Sequence, residues 1–448
     1  MIGMVVMGLG LTSCEKFLDV KPDKKLAVLS TPEDLQALLN FENRRNRGYP
    51  AAGDIASDDY YMEEPDWAKL YFPDDRATYI WAQEATAVQD WENIYSNVND
   101  MNIILDHVDK VFGHAAGSAE YNAIKGAALF FRGYTFFLGA EVFTLPYQES
   151  TAGSTLGIPL RLTSDFNDKT VRASQKATYE QVLKDLTAAS RLLPKVTLYK
   201  TRPSRAAAFG ALARVYLVMG NYPKAGAYAD SCLQLNGELM NYNALSPTAL
   251  DPFELFNAEV VFHATNRSNM GIFTGSVARV DTVLYSSYSE NDLRKSLFFV
   301  PNGDNSVQFK GSYTGSSNNS ALFSGITTDE MYLIRAECYA RQGDHVRAME
   351  TLNKLLEKRW KANTFVPRAS ATAEEALKLI LDERRKELVF RGSLRWSDLR
   401  RLNREPTFAK HLMRRLGAQE YHLPPNDKRY AFLIPPSVVS QTGIEQNE

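Results

Sequence analysis

Aromatic residues, paired carboxylates and one N-terminal cysteine are the side chains of this 448-residue chain whose types and spacing could support chemistry. Trp67 and Tyr71 stand four residues apart beside Asp66, Asp74 and Asp75. If the stretch turns helically, both rings fall on one side. Flat rings so placed can stack on the apolar C–H faces of a sugar while neighbouring polar groups bond its hydroxyls. Tyr60, Tyr61, Tyr285 and Tyr288, in segments of similar texture, are secondary candidates for the same role. The pairs Asp58–Asp59, Glu63–Glu64 and Asp74–Asp75 could supply two carboxylates for glycoside hydrolysis, but adjacency in sequence does not set the separation that reaction needs. No HExxH, GxSxG or GxGxxG occurs, and the six histidines lack ligand spacing. The expectation is binding without catalysis, with no catalytic residue, no cofactor and no metal.

Lys and Arg total 51 against 53 Asp and Glu, with no basic half. Phosphate neutralisation needs clustered cations, so nucleic acid is not an expected partner. The densest charge run comprises Arg384, Arg385, Glu387, Arg391, Arg395, Asp398, Arg400 and Arg401, and could suggest an anionic ligand. Helical spacing such as Glu387 to Arg391 points instead to local ion pairs, with Trp396 and Leu399 turned inward and the run locking the C-terminal helices onto the rest. Trp81 and Trp91 are assigned to the core.

Of the three cysteines, Cys232 and Cys338 sit in apolar helical patterns as buried thiols. Cys14 differs, because the apolar run before it is too short to span a bilayer and Leu11-Thr12-Ser13-Cys14 fits a bacterial lipobox. Residues 1–13 are therefore expected to be a signal peptide and Cys14 a lipidation site, its acyl chains each contributing about 0.8 kcal/mol per buried methylene.

The elements that must position these residues read as helices. Ser30-Thr-Pro-Glu33, Thr178-Tyr-Glu-Gln181, Thr327-Thr-Asp-Glu330 and Thr372-Ala-Glu-Glu375 have the form of capping boxes. After Thr178, the residues Tyr179, Val182, Leu183, Leu186, Ala189 and Leu193 recur with the 3.6-residue period of an amphipathic helix. Further helical patterns cover roughly 83–112, 117–143, 202–236, 327–359 and 372–402. Within them lies a repeat. ALARVYLVMGNYPKAGAYADSCL aligns with IRAECYARQGDHVRAMETLNKLL, pairing Ala213 with Ala336, Tyr216 with Tyr339, Gly220 with Gly343 and Ala225 with Ala348. That spacing is the one of a tetratricopeptide helix hairpin, in which small residues admit a close helix pair and glycine closes the first helix in a left-handed cap. GAALFFRGYTFFLGAEVF, Gly126 to Phe143, looks like a degenerate third hairpin half. In 48–82 and 237–325 the periodicity fades while Gly, Ser, Asn, Asp and Tyr rise, the texture of ordered loops or short strands that carry a ligand surface.

With these landmarks in order, the chain resembles the SusD/RagB family of outer-membrane nutrient-binding lipoproteins over nearly its whole length. CEKFLDVKP from Cys14 is similar to the family's mature start. WENIYSNVNDMNIIL (Trp91 to Leu105) and FFRGYTFFLGAEVFTLPY (Phe130 to Tyr147), the latter followed by GIPLRL, resemble its early helices. LDERRKELVFRGSLRWSDLRRLNR (Leu381 to Arg404) and FLIPPSVVSQTGIEQN (Phe432 to Asn447) resemble its closing signatures. The resemblance implies a mainly α fold, a right-handed α-α superhelix of tetratricopeptide-like hairpins with long ligand-binding loop insertions, forming one domain over 14–448. It also implies a lipid-anchored cell-surface protein that binds an oligosaccharide, or alternatively a peptide, and lids a SusC-like TonB-dependent transporter. A tetratricopeptide adaptor that binds protein segments is the reading from another class.

Overall fold

Ala213, Ala225, Ala336 and Ala348, the small residues of the repeated pattern, are all fully buried, which is what lets consecutive helices approach one another. The computed structural model describes residues 29–268, 271–273, 275, 277–316 and 320–447; the signal peptide and Cys14 readings lie outside the described residues. Five short helices lead in: α1 (Pro32–Leu39), α2 (Glu42–Arg45), α3 (Ala52–Ala56), α4 (Glu64–Ala68) and α5 (Pro73–Tyr79). The scaffold continues through α6 (Val88–Phe112), α7 (Ala119–Phe143), α8 (Gln175–Leu192), α9 (Arg205–Val218) and α10 (Tyr222–Leu235). After α11 (Thr282–Ser286) and α12 (Arg294–Phe298) come α13 (Thr328–Arg341), α14 (His345–Glu357), α15 (Ala373–Glu387), α16 (Leu394–Leu402) and α17 (Pro436–Thr442). The described strands pair only in antiparallel twos. These are β1 (Tyr60–Tyr61) with β5 (Arg279–Val280), β2 (Leu156–Pro159) with β3 (Arg172–Ser174), β4 (Val260–Phe262) with β8 (Ile326–Thr327), β6 (Phe299–Pro301) with β7 (Val307–Phe309), and β9 (Leu412–Leu416) with β10 (Gln419–Leu423).

The fold is mainly α, as expected. Each helix packs on the next: α6 on α7, α7 on α8, α8 on α9, α9 on α10, and α13 on α14 and α15. Because α10 also packs directly on α13, the stack runs on as if the segment between them were spliced in. Gly220 and Gly343 have φ of 73° and 87°, the left-handed closure the repeat requires. Asn221 and Asp344 then cap α10 and α14 by accepting from the backbone of Lys224 and Arg347.

The spliced segment and 48–82 are not only loops on a face. Tyr242, Phe253, Phe298, Phe299, Tyr313 and Phe323 pack into a core of their own beneath them, together with Ile55, Tyr60 and Tyr79. A larger core fills the α6–α10 stack and a third lies among α13–α15. Trp81 and Trp91 are buried as assigned.

Helix starts differ in detail from the capping boxes read in sequence. At the first, the box closes one residue later, between Thr31 and Asp34. α8 starts at Gln175 with Ser174 as its cap, because Thr178 is occupied elsewhere: its hydroxyl donates to the Ser174 carbonyl and accepts from the Ile158 amide. Thr327 stands at the cap position of α13 without a side-chain cap bond, whereas Thr372 accepts from the Glu375 amide as expected. The charge run departs further. Glu387 does not pair with Arg391 one turn on but with Arg294 and Arg359, while Arg391 faces Asp329. The run does lock the C-terminal helices, since Glu337 of α13 binds Arg401 of α16, whose Asp398 holds Arg384 of α15. Trp396 and Leu399 are buried.

Candidate functional site

α2 and the turn after it, the loop carrying Thr201, and residues 255–268 of the spliced segment enclose a cleft of about 330 Å³. Asn46, Arg47, Phe256, His263, Asn266 and Ser268 are among its lining residues. Asn46 fixes the floor: its side-chain amide donates to the Thr201 and His263 carbonyls at 2.9 and 2.8 Å, and its own carbonyl accepts from the Thr265 amide at 2.6 Å. Asn266 ties the opposite wall, donating to Asp54 and accepting from the Leu322 amide. Thr201 in turn donates to Glu42 at 2.9 Å. These bonds draw segments from 42–47, 201, 263–266 and 322 into one frame.

Within that frame two side chains are not explained by packing. Phe256 has φ of 60°, a backbone region that bulky residues rarely occupy unless their surroundings hold them there. Its ring is 39% exposed and stands edge-on to His263, centroids 5.0 Å apart. His263 is buried, and its Nδ1 has no hydrogen-bond partner. Burial, helped by the positive charge of Arg47, pushes its pKa down to about 4, so the ring is neutral at ordinary pH. The cleft thus offers an exposed aromatic ring backed by a buried, neutral imidazole, and a cation at the rim. That equipment suits a polyhydroxylated ligand.

The residues singled out in sequence scatter. Tyr60 and Tyr288 are 3% and 2% exposed, their hydroxyls donating to the Ile55 and Lys386 carbonyls; they belong to the core, which corrects their assignment to a ligand surface. Tyr61 and Tyr285 are half-buried, Tyr285 edge-on to Phe299. Helix α4 stops at Ala68, so Trp67 and Tyr71 are not paired along one helix as their spacing suggested. Trp67 is half-buried and donates its indole N–H to the Arg76 carbonyl at 3.1 Å, beside the Asp66–Arg279 ion pair. Tyr71 is 69% exposed with its ring edge-on to Phe72. Arg395, one cation of the run that could suggest an anionic ligand, is held by Asp58.

The cleft residues 42–47 lie just ahead of the first segment marked in sequence, and 255–268 lie inside the second. His263 escaped notice because it sits in the apolar run VVFHAT, where nothing in sequence separates a cleft residue from a core one.

A family model described as "Starch-binding associating with outer membrane" matches residues 16–217, and the SusD family model matches 275–433. The chain belongs to the SusD/RagB family. No curated protein matches it significantly. A SusD superfamily protein from Bacteroides thetaiotaomicron is similar in structure with a TM-score of 0.76 and 23% identity, over 93% of this chain and 100% of the other. A SusD-like carbohydrate binding protein from Bacteroides vulgatus gives 0.69 and 20% over 92% and 97%. A laminarin binding SusD-like protein gives 0.64 and 17% over 92% and 97%. In this SusD/RagB chain two of the resembling segments, GIPL and the C-terminal stretch, hold the scaffold together. A Cβ on Gly157 of GIPL would lie 2.2 Å from the Thr178 hydroxyl and 2.5 Å from the Ser174 carbonyl, so only glycine fits. Asn447 closes the chain by donating to the carbonyls of Phe143 and Phe432. Among the described residues no helix is long and apolar enough to cross a membrane.

Proposed function

We propose that this protein is a cell-surface glycan-binding lipoprotein, anchored in the outer membrane through acyl chains on Cys14, that captures oligosaccharides and delivers them unaltered to a SusC-like TonB-dependent transporter. The observation that carries the ligand class is the cleft at Phe256 and His263, a concave site whose exposed phenylalanine ring is backed by the buried imidazole and held in a rigid frame. Its volume of about 330 Å³ falls at the small end of ligand pockets, so it takes one or two sugar rings of a longer chain. Tyr71 and Trp67, with Tyr61 and Tyr285 as lesser members, are proposed as an outer platform for further rings. Family membership and the carbohydrate-binding neighbours support this reading, and the lipobox at Cys14 supports the anchor.

A glycan array probed with the intact chain, followed by calorimetry on its hits, tests it. Phe256→Ala and Tyr71→Ala are each expected to weaken the best hit about tenfold, which is about 1.4 kcal/mol. Unchanged affinity in both variants removes the proposed site, and an array without hits beside capture of peptides removes the ligand class. Globomycin-sensitive processing tests the anchor.

A further inference from the structure

His411 and His422 meet on the outer face of the β9–β10 hairpin. Leu412, Arg414 and Leu416 turn inward there, so His411, Met413 and Arg415 share the solvent side. Across the ladder Met413 is the register partner of His422, and Arg415 that of Glu420. His411 Nε2 lies 3.2 Å from His422 Nδ1, with the ring planes 75° apart. Both rings are exposed, and Met413 is 52% exposed beside them.

The spacing matches a shared metal ion. Two imidazole nitrogens on one tetrahedral zinc, each at about 2.0–2.1 Å, stand about 3.3 Å apart. In cis positions of a square copper geometry at about 2.0 Å they stand about 2.8 Å apart. The observed 3.2 Å lies between these limits. The second nitrogen of His422 supports the same arrangement. Its Nε2 is 3.6 Å from Glu420 Oε2, and a carboxylate there favours the proton on Nε2, leaving the Nδ1 lone pair aimed at His411. Glu420 is itself held by Arg415, which suits it to orient the ring while Nδ1 does the binding. The competing occupant of the gap is a single proton, shared as an N–H···N bond between the two rings.

From this we infer that the outer face of the β9–β10 hairpin binds a late first-row transition-metal ion through His411 Nε2 and His422 Nδ1, with the Met413 thioether as a third ligand when the ion is Cu+. Imidazole pairs accept Zn2+, Ni2+ and Cu2+, with Cu2+ bound most tightly, and a thioether adds a preference for Cu+. The site is independent of the cleft and of any glycan.

Titration of the untagged intact chain with Cu2+ and with Zn2+, read by calorimetry and by the nitrogen hyperfine structure of the Cu2+ resonance, tests the proposal. Wild-type protein is expected to take up one ion of either metal at this site, Cu2+ the more tightly. His411→Ala and His422→Ala are each expected to weaken it at least tenfold and to remove one nitrogen from the hyperfine pattern, while Glu420→Gln weakens it less. A wild-type chain that takes up neither metal at about 100 µM, or one whose affinity survives both histidine substitutions, overturns the site. Under anaerobic conditions Met413→Leu is expected to weaken Cu+ about tenfold and leave Zn2+ unchanged; equal Cu+ affinity in wild type and variant overturns the thioether's part and the copper preference with it.

Discussion

Replacing His263 by phenylalanine removes a titrating group whose charge the fold resists. Its ordinary pKa of 6.5 is pushed down to about 4 by burial and by Arg47. The unfolded chain therefore takes up a proton below pH 6.5 that the folded chain refuses. Stability from this group is complete above about pH 6.5 and is lost as pH falls through 4. The full window is worth about 3 kcal/mol, and about 2 kcal/mol of it is gone by pH 5. Asp54, Asp59 and Asp329 act in the opposite sense, because burial raises their carboxyl pKa values to about 7, 6 and 7. Each holds its proton in the folded state above the point where the unfolded chain has released it, so their contribution is present below pH 3.8 and lost as pH rises towards 6 or 7. The acid profile of the wild type alone mixes both signs, and the difference between wild type and His263→Phe isolates one. Urea unfolding of both proteins at pH 7.5 and pH 5 is the assay. The stability of wild type relative to the variant is expected to fall by about 2 kcal/mol between the two pH values. A difference that stays constant within about 0.5 kcal/mol refutes the account of His263 as a buried neutral ring.

Glu337→Gln leaves Arg401 and Arg341 facing an uncharged partner in a buried setting, and urea unfolding should register a loss of about 3–5 kcal/mol. Gly220→Ala forces a left-handed residue and should cost about 1 kcal/mol by thermal melting. Gly157→Ala, whose new methyl would overlap Thr178 and the Ser174 carbonyl, should cost more than Gly220→Ala although it needs no unusual φ. Tyr71→Ala, 69% exposed, should leave the melting temperature nearly unchanged while weakening glycan binding.

What the sequence could reveal depended on how local the cause was. The α9–α10 and α13–α14 hairpins were legible because Ala213, Tyr216, Gly220 and Ala225 and their counterparts act within a few residues of each other. Gly157 was visible as a motif but not as a reason, since the atoms that demand it belong to Ser174 and Thr178. Glu387 was misassigned for a related cause. A helical neighbour four residues on is the best local partner, but Arg294 and Arg359 arrive from distant sequence, bind one carboxylate oxygen each and are fully buried. Tyrosines in Gly- and Asn-rich stretches looked exposed because composition says nothing of a second core. Tyr60 and Tyr288 fill it, whereas Phe256 and His263, the latter from an apolar run, line the cleft.

The junction between the spliced segment and the helix stack rests on charges that cannot be satisfied separately. Glu259, Asp329 and Glu387 are buried with carboxylate oxygens within 4.8 Å of one another, an arrangement that would need a cation if it stood alone. Arg359 supplies one, binding Glu259 at 2.7 Å and Glu387 at 2.8 Å while lying 3.9 Å over the Tyr242 ring. Arg391 faces Asp329 and lies 3.5 Å over Tyr313, and Arg294 holds Asp292, Glu383 and Glu387 together. Glu259, Asp292 and Arg294 belong to the spliced segment, and Glu383 and Glu387 to α15, so the network fastens one to the other. Arg359→Met keeps most of the side-chain volume but leaves Glu259 and Glu387 opposed without their shared cation. The expected result is a loss of about 3–5 kcal/mol overall and faster amide exchange concentrated in the spliced segment, with α6–α8 unaffected at the same time points. Exchange that quickens equally in α6–α8 would mean that the network stabilises the whole fold at once, and that the segment bearing the cleft has no separate fastening.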